Sequence, residues 1–254
     1  MKAKERQAMI LAQLESEGIV SLKEASAKLN ASTCTIRRDF EKLEQENKCR
    51  RIHGGILRAL SEEPLQETTN ISMDIRMHLQ ADAKKQLCTA CAALIQDHDC
   101  IFVDGGTTFL SLLDLLHEKP VTIVTHSHLL HAKMDASYTF ITLGGQVNPF
   151  YQMSLGPLTL KNLETFHFDK AFIGCAGIDL ETNHVYTAEI DTAQIKEAAI
   201  SHAKQKYLVA DKSKIGIVGF YRFASLDDFH GLIIDQKSDV METSIKIIEA
   251  EGEL

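Results

Sequence analysis

Two helix-start signals that lie close together near the N-terminus constrain the fold of this chain more than any other feature. At Ser21-Leu22-Lys23-Glu24 the Ser side chain can accept a hydrogen bond from the amide three residues on, and the Glu side chain can reach back to the Ser amide. Ser32 is suited to cap another helix, after a break at Asn30-Ala31. With a helix at residues 2–17 before them, these signals predict a helix-turn-helix whose inward residues are Ile10, Leu11 and Leu14, then Leu22, Ala25 and Leu29, then Ile36, Phe40 and Leu43.

The third predicted helix carries cationic and hydroxyl side chains away from its apolar stripe. A recognition helix presents its first turns to base edges in the major groove, which suits Arg38 to a guanine or a phosphate and Arg37 to the DNA backbone. The hydroxyl groups placed for nearby phosphates are those of Ser32, Thr33 and Thr35. In the alternative interpretation the helix is merely solvated, and the two arginines pair with Asp39 and Glu41.

An arginine-rich segment, residues 48–58, follows this helix. Two short extended pieces about Gly54-Gly55 indicate a hairpin like the wing of a winged helix, and the glycines allow close approach of the backbone to DNA. Its cations are suited to phosphate or minor-groove contact, at Arg50, Arg51 and Arg58. A plain hairpin is the alternative, but it does not explain the arginines.

The charges of the chain are distributed unevenly. Residues 1–60 hold 12 Lys and Arg against 8 Asp and Glu, a net charge of +4, whereas the whole chain carries −8. The remaining residues therefore carry −12 and would repel a phosphate backbone. Only the N-terminal part is electrostatically suited to DNA.

The composition is that of an ordinary globular protein, with 44% hydrophobic and 24% charged residues. No apolar stretch approaches the roughly 20 residues that span a bilayer, and the N-terminus lacks the pattern of a secretory signal. We therefore expect a cytoplasmic protein that does not contact a membrane. The six scattered cysteines are expected to be reduced and mostly buried.

Short apolar strands alternate with helical segments from residue 82 onward. The predicted strands are residues 100–103, 121–124, 140–143, 171–173, 207–210 and 232–234. Such an alternation predicts an α/β fold with a mainly parallel sheet. Residues 59–81 contain Pro64 and mixed charges without a long apolar period, so they suit a linker. The prediction is thus a winged helix-turn-helix domain at 1–58, a linker at 59–81 and a larger α/β domain at 82–254.

Polar or glycine-rich loops follow these strands, at the sheet edge where ligands of parallel sheets bind. The clearest is Asp104-Gly105-Gly106-Thr107-Thr108, between a predicted strand and a predicted helix. Its amides, its two hydroxyls and the helix N-terminus are suited to an anion, of which phosphate is the natural example. The alternative is an ordinary strand-to-helix turn that needs glycine for its backbone. Other loops at the same edge are 125–127, 143–145, 174–179 and 210–214.

Two N-terminal segments, Ser32 to Leu43 and Arg51 to Gly55, closely resemble the signature of the DeoR family of bacterial sugar-metabolism regulators. The resemblance implies that this part binds operator DNA, with Arg37 and Arg38 at the positions of the family's paired arginines. The wing residues at the DNA would then be Arg50, Arg51, His53 and Gly54.

The loops of the larger domain resemble the C-terminal sensor domain of the same family, which is similar in fold to ribose 5-phosphate isomerase. This likeness implies that the segment from Asp104 to Thr108 surrounds the phosphate or nearby hydroxyls of an effector, and that Lys214 closes the charge. Asp179 and Lys196 would lie near the sugar end. His126 stands where relatives commonly have Asn and is included in the predicted site.

The function that follows from the resemblance is transcriptional regulation. Most relatives are repressors, so we expect a repressor of a carbohydrate-utilisation operon that a phosphorylated sugar releases from double-stranded operator DNA. No cofactor is expected. Because one winged helix reads few base pairs, repeated half-sites imply a homodimer or a homotetramer.

Two other functions remain as alternatives. A sugar-phosphate isomerase would need a base beside the substrate. The resemblance to the isomerases implies an acidic residue where Ala176 stands, and Glu189 or Asp191 remain as candidates near the pocket. A DNA-architectural protein without an effector would not need a large acidic domain.

Two clusters contain residue types that can bind a metal ion, but each also has a simpler interpretation. His126, His128 and His131 lack a carboxylate or cysteine partner at ligand spacing, so we expect no metal there. Cys88 and Cys91 fall in an apolar helical pattern without a second pair, which indicates core packing.

Overall fold

The computed structural model describes residues 3–17, 19–46, 48–52, 55–58, 73–236 and 245–250. Contacts between residues divide the chain into two units. The first comprises Met1–Glu63 and Asn70–Leu79, and the second comprises Pro64–Thr69 and Gln80–Leu254. Within the part of the chain that is described, no helix is long and apolar enough to cross a membrane.

Three helices of the first unit lie close to their predicted positions, at Ala3–Glu17 (α1), Leu22–Lys28 (α2) and Thr33–Gln45 (α3). Ser32 caps α3 as predicted, because its side chain accepts a hydrogen bond of 3.2 Å from the Thr35 amide. The predicted apolar stripes close one core, whose most deeply buried helical residues are Ile10, Leu14, Ala25, Ile36, Phe40 and Leu43.

A three-stranded antiparallel sheet packs with these helices. Its strands are β1 (Ile19–Ser21), β2 (Cys49–Ile52) and β3 (Gly55–Arg58), and β3 lies between the other two. The hairpin of β2 and β3 is the predicted one. The strand β1 was not predicted, because three residues between two helices show no alternating pattern. A short helix, α4 (Met73–His78), also belongs to this unit, and residues 59–72 of the predicted linker lie outside the described residues.

The second unit is built on a seven-stranded sheet in which all paired strands run parallel, as predicted. Its strands are β4 (Cys100–Val103), β5 (Thr122–Thr125), β6 (Thr139–Thr142), β9 (Phe168–Gly174), β12 (Ala203–Ala210), β14 (Gly231–Ile234) and β15 (Ile247–Glu249). They follow the order β15-β14-β12-β9-β4-β5-β6 across the sheet. The first six match the predicted strands, and β15 was not predicted.

Smaller elements surround this sheet. One antiparallel pair is β7 (Gln146–Asn148) with β8 (Met153–Leu155), and a second small sheet consists of β10 (Gly177–Asp179), β11 (His184–Thr187) and β13 (Tyr221–Ser225). The α-helices are α5 (Ala81–Leu94), α6 (Pro157–Leu163) and α7 (Ile190–Ser201). The central strand β4 is buried on both faces, since Ile101, Phe102 and Val103 are all 0% exposed.

The segment after β4 differs from the prediction. Instead of an α-helix it forms two three-residue 3-10 turns, Thr107–Phe109 and Leu113–Leu115. The Leu112 amide bonds to the Phe109 carbonyl at 3.0 Å, so the chain is tightened to a three-residue repeat that buries both side chains. The predicted contribution of an α-helix N-terminus to anion binding is therefore wrong.

Candidate functional site

The carboxyl ends of the central strands meet around Asp104, which follows β4 and is only 2% exposed. Its Oδ2 accepts a hydrogen bond of 2.9 Å from the Gly174 amide and forms an ion pair with Lys196 Nζ of α7. Its Oδ1 accepts a hydrogen bond of 2.9 Å from the Gly105 amide. Lys196 Nζ also donates to the Gly174 carbonyl at 3.0 Å. The carboxylate therefore joins β4 to β9 and α7, and protein groups enclose both of its oxygens.

The pKa of Asp104 lies well below its usual value. Burial on its own would raise that pKa, but the Lys196 ammonium and the contact with His126 outweigh the effect of burial. The ammonium is further stabilised by the Phe223 ring, whose centroid lies 5.7 Å from Nζ. The carboxylate of Asp104 is thus held in its charged form, opposite the Lys196 side chain.

His126 supports the same loop from inside the protein, since its side chain is 0% exposed. Its Nδ1 lies 3.1 Å from the Ser154 carbonyl oxygen, and its Nε2 lies 3.1 Å from the Gly105 amide and 3.3 Å from Asp104 Oδ1. Because the Ser154 carbonyl oxygen can only accept, Nδ1 carries a proton and donates to it. The structure gives His126 a supporting position behind the loop rather than a ligand-facing one.

The two glycines of the loop have different surroundings. A Cβ atom on Gly105 would lie 2.7 Å from Met153 Sδ and 2.9 Å from His126 Nε2, distances that no side chain tolerates without movement of its neighbours. A Cβ atom on Gly106 would have only the Thr108 amide nitrogen nearby, at 4.0 Å. The loop is therefore closed at Gly105 and open at Gly106, which is the side that a ligand can approach.

The two threonines of the loop contact α5. Lys84 Nζ donates a hydrogen bond of 3.0 Å to Thr107 Oγ1, and Cys88 Sγ lies 3.0 Å from the Thr108 carbonyl oxygen. Lys84 thus brings a positive charge to the loop, although the sequence analysis did not include it. The signal that could have identified it is its position one helical turn before Cys88, on the helix that precedes β4.

A second cation, Lys214, lies beyond the end of β12. It belongs to the 3-10 turn Lys212–Lys214, which Asp211 caps by accepting a hydrogen bond of 3.0 Å from the Ser213 amide. Burial raises the pKa of the Cys175 thiol to about 12, and the positive charges of Lys214 and Lys196 act against that increase. Both lysines therefore act electrostatically on the thiol that follows β9, close to the Asp104 pair.

Asp179 is engaged elsewhere. Its Oδ1 accepts a hydrogen bond of 3.0 Å from the Glu181 amide, and its Oδ2 accepts one of 2.6 Å from the Thr182 hydroxyl. The Thr182 hydroxyl, together with these amides, lowers the pKa of Asp179. The carboxylate stabilises the turn between β10 and β11, and none of its described contacts joins it to the Asp104 group.

The other side chains considered as metal ligands, His128, His131, Cys88 and Cys91, have structural roles. His128 Nε2 lies 2.9 Å from Ser154 Oγ, and His131 Nε2 lies 2.7 Å from Thr142 Oγ1. Among the described residues, no group of three or more His, Cys, Asp or Glu side chains is arranged to hold a metal ion. Cys88 and Cys91 are 0% exposed, which confirms that they pack in the core.

In the first unit, the surface of α3 carries two exposed arginines, Arg37 and Arg38. In the alternative of a solvated helix, these arginines pair with Asp39 and Glu41. Asp39 is instead 3% exposed and faces α1, where it pairs with Arg6 and accepts a hydrogen bond of 2.9 Å from Gln7 Nε2. Within the described parts of the chain, neither exposed arginine forms an ion pair. Their charge is therefore presented to solvent.

The other predicted DNA-binding residues are distributed as follows. Ser32 and Thr33 are exposed at the start of α3, and the Thr35 hydroxyl lies 2.8 Å from Ser32 Oγ. The backbones of Arg50 and Arg51 lie in β2, opposite Leu57 and Ile56 of β3. His53 and Gly54 lie outside the described residues.

Comparison with known proteins gives the same family for both units. Residues 6–62 match the DeoR-like helix-turn-helix domain, and residues 79–236 match the DeoR C terminal sensor domain. The HTH-type transcriptional regulator FruR of Bacillus subtilis (strain 168) is 32% identical over 90% of this chain and 89% of its own length. The lactose phosphotransferase system repressor of Streptococcus mutans is 29% identical over 94% of each chain.

Solved structures show only a distant likeness. Ribose 5-phosphate isomerase A from Methanocaldococcus jannaschii is 18% identical, with a TM-score of 0.38 over 53% of this chain and 54% of that one.

Proposed function

Because the chain belongs to the DeoR family of transcriptional regulators, we propose that it is a repressor of a carbohydrate-utilisation operon and that a phosphorylated sugar releases it from its operator. Relatives of this chain are named as regulators or repressors, among them a lactose phosphotransferase system repressor and the repressor GlcR of Bacillus subtilis. Since they are regulators and not isomerases, the enzyme alternative is set aside.

The effector proposal rests on the loop from Asp104 to Thr108, which the protein closes on one side and leaves open on the other. Its inner side is closed by His126 and Met153, whereas Gly106 is open. Lys84 reaches Thr107, and Lys214 lies in the turn that follows β12, the second strand from β4 in the sheet. A phosphate at Gly106 would receive hydrogen bonds from loop amides, from the Thr107 and Thr108 hydroxyls and from these cations.

The buried ion pair explains why an acidic residue can lie so close to an anion site. The negative charge of Asp104 is balanced by Lys196, so it does not oppose a bound phosphate. Charge-assisted hydrogen bonds are about twice as strong as neutral ones, so a sugar without its phosphate would lose most of the binding free energy. In this proposal Lys196 and Asp104 hold the loop in place, His126 and Gly105 support it, and Asp179 stabilises a hairpin of the same domain.

For the DNA we propose that Arg38 contacts a base edge or a phosphate and that Arg37 contacts the backbone. The support is that Arg6 engages Asp39 and leaves both arginines exposed without a partner among the described residues. Further contacts to phosphates and the minor groove are proposed for Ser32, Thr33, Thr35, Arg50, Arg51, His53 and Gly54.

The proposed regulator is cytoplasmic, and its domains are residues 1–58 and 82–254 joined by a linker. We propose a homodimer or homotetramer, since an operator of repeated half-sites needs more than one winged helix. Effector and operator favour different states of the protein, so that binding of one weakens binding of the other.

Thermal unfolding of the full chain tests the effector proposal. It is measured with ribose 5-phosphate, glucose 6-phosphate and fructose 1-phosphate, and with ribose, glucose and fructose as matched controls. A sugar phosphate at 100 times its Kd should stabilise the protein by about 2.7 kcal/mol, whereas the free sugars should have little effect. Equal stabilisation by a sugar and its phosphate, or none by any of the phosphates, would contradict the proposal.

A further inference from the structure

The helix α5 connects the effector loop to the point where the chain passes between its two units. The first unit includes residues up to Leu79, and the second continues from Gln80. α5 begins at Ala81, and Lys84 lies in its first turn. The helix that contacts the proposed phosphate site is therefore also the first element of the second unit after the junction.

One face of α5 follows the loop. Lys84 and Cys88 lie four residues apart, hence on the same face, and they contact Thr107 and the Thr108 carbonyl respectively. Further along the helix, Leu87 and Cys91 are 0% exposed within the core of the second unit. The middle of the helix is thus anchored by packing, whereas its first turn is held to the loop by Lys84.

The backbone at the junction has an unusual conformation. Gln80 has φ 52° and ψ 38°, the left-handed region that residues other than glycine seldom adopt. Its carbonyl accepts a hydrogen bond of 2.9 Å from the Lys84 amide, which closes the first turn of α5. The direction in which the chain enters the second unit is thus tied to the same residue whose side chain contacts the loop.

We propose that Lys84 couples occupancy of the effector loop to operator binding. A phosphate at Gly106 draws Lys84 Nζ from the Thr107 hydroxyl to a phosphate oxygen, because a dianion is the stronger acceptor. The first turn of α5 follows its side chain and, through the Gln80 carbonyl, changes the path of the chain that leads to the DNA-binding unit. This inference rests on the proposed function and adds the route by which the effector acts.

The test measures coupling separately from effector affinity. The affinity of the full chain for operator DNA, selected from a random-sequence pool with the parent protein, is measured by fluorescence anisotropy. The ratio of the two operator Kd values, without and with saturating sugar phosphate from the panel above, is the coupling factor. For the parent we expect a factor of about 5 to 150. For Lys84→Met we expect weaker effector binding. Even when the effector is saturating, the coupling factor of this variant should stay below about two, which lies under the range expected for the parent.

Matched variants isolate the role of Lys84. Lys85→Met removes an exposed lysine from the next position of α5 and should keep the parental coupling factor. Lys84→Arg retains the charge and should restore part of the coupling. Gln80→Gly removes an exposed side chain that makes no cap hydrogen bond, and it permits other backbone angles. It should therefore lower the coupling factor without changing effector affinity in the absence of DNA.

The outcomes are distinct. If Lys84→Met binds the effector weakly but shows full coupling at saturation, Lys84 only binds phosphate and the inference is wrong. Parental coupling in Gln80→Gly would equally overturn the route through the junction. If no sugar phosphate binds the parent, the effector proposal itself fails, and this inference fails with it.

Discussion

The buried pair of Asp104 and Lys196 provides the sharpest test of how the effector loop is held. In Lys196→Met the long apolar side chain is kept, but the ammonium that contacts Asp104 and the Gly174 carbonyl is removed. Asp104 is then left as a carboxylate that is 2% exposed and has lost its cation. Removing one partner of a buried ion pair destabilises a protein by about 3–5 kcal/mol, because the other charge stays buried without compensation.

The magnitude can be checked against two further variants. In the double variant Asp104→Asn with Lys196→Met the uncompensated charge is gone, while the single amide oxygen still accepts from one of the two glycine amides, so the double variant should be more stable than Lys196→Met alone. Lys204→Met is the matched control. It removes an ion pair with Asp169 in which the lysine side chain is 76% exposed, so its Tm should stay close to that of the parent.

Thermal unfolding followed by circular dichroism measures these differences. For a domain of this size about 1 kcal/mol corresponds to about 2–4 °C in Tm, so Lys196→Met should lower Tm by about 6–20 °C.

The pH dependence of stability provides a second measurement. The pKa of Asp104 is lowered in the folded parent, so the stability that the ionised carboxylate contributes is present above its unfolded pKa of about 3.9. That stability is lost as the pH falls through the pKa of the folded state.

In Lys196→Met the cation is absent and burial raises the pKa of Asp104, which reverses the sign. The variant should therefore lie closer to the parent at pH 5 than at pH 8. Two results would refute the interpretation of Asp104 as a buried carboxylate that Lys196 compensates. One is a Tm of Lys196→Met within about 2 °C of the parent, which is less than the change expected for 1 kcal/mol. The other is a double variant that is no more stable than Lys196→Met.

Three further predictions concern the loop and the DNA face. Gly105→Ala should destabilise the protein by about 1–3 kcal/mol through overpacking against Met153 and His126, whereas Gly106→Ala should leave Tm nearly unchanged; equal Tm values would contradict the difference in space. A bulky residue at Gly106, or Lys214→Ala, should leave operator binding intact but abolish release by the sugar phosphate, and unchanged effector affinity in calorimetry would remove the loop from the mechanism. Arg38→Ala should reduce operator affinity by about 1–3 kcal/mol, and Arg51→Ala should weaken binding more evenly across sequences; parental anisotropy titrations for both would show that α3 and the wing do not form the DNA face.

Most of the secondary structure and the order of the two units follow from local patterns. Ser32 caps α3 because the cap involves residues three positions apart, and most parallel strands are recognisable as short apolar runs, of which inner ones such as β4 and β14 are buried on both faces. The 3-10 turns after β4 were missed, because their spacing depends on which leucines the sheet buries and not on the sequence of the segment alone.

The candidate site was predicted as a set of loops, and the structure assigns different roles to its members. His126 and Asp104 have the residue types of ligand-binding groups, but His126 is buried behind the loop and Asp104 is buried at its start. Asp179 follows a strand as predicted, yet its carboxylate is used by its own turn. No local pattern distinguishes a carboxylate that faces a ligand from one that anchors a strand.

The sequence by itself determined the family, the helix-turn-helix with its wing, the parallel α/β sheet and the loop at the end of β4, because each depends on residues that are near one another along the chain. Only the tertiary structure decided which partners the charged groups take. Asp39 pairs with Arg6, 33 positions away, and so leaves Arg37 and Arg38 exposed; Asp104 pairs with Lys196, 92 positions away; and Lys84 reaches Thr107 across 23 positions. Such pairings are set by which groups are buried together, since a buried charge must be compensated by whatever opposite charge the fold brings within reach.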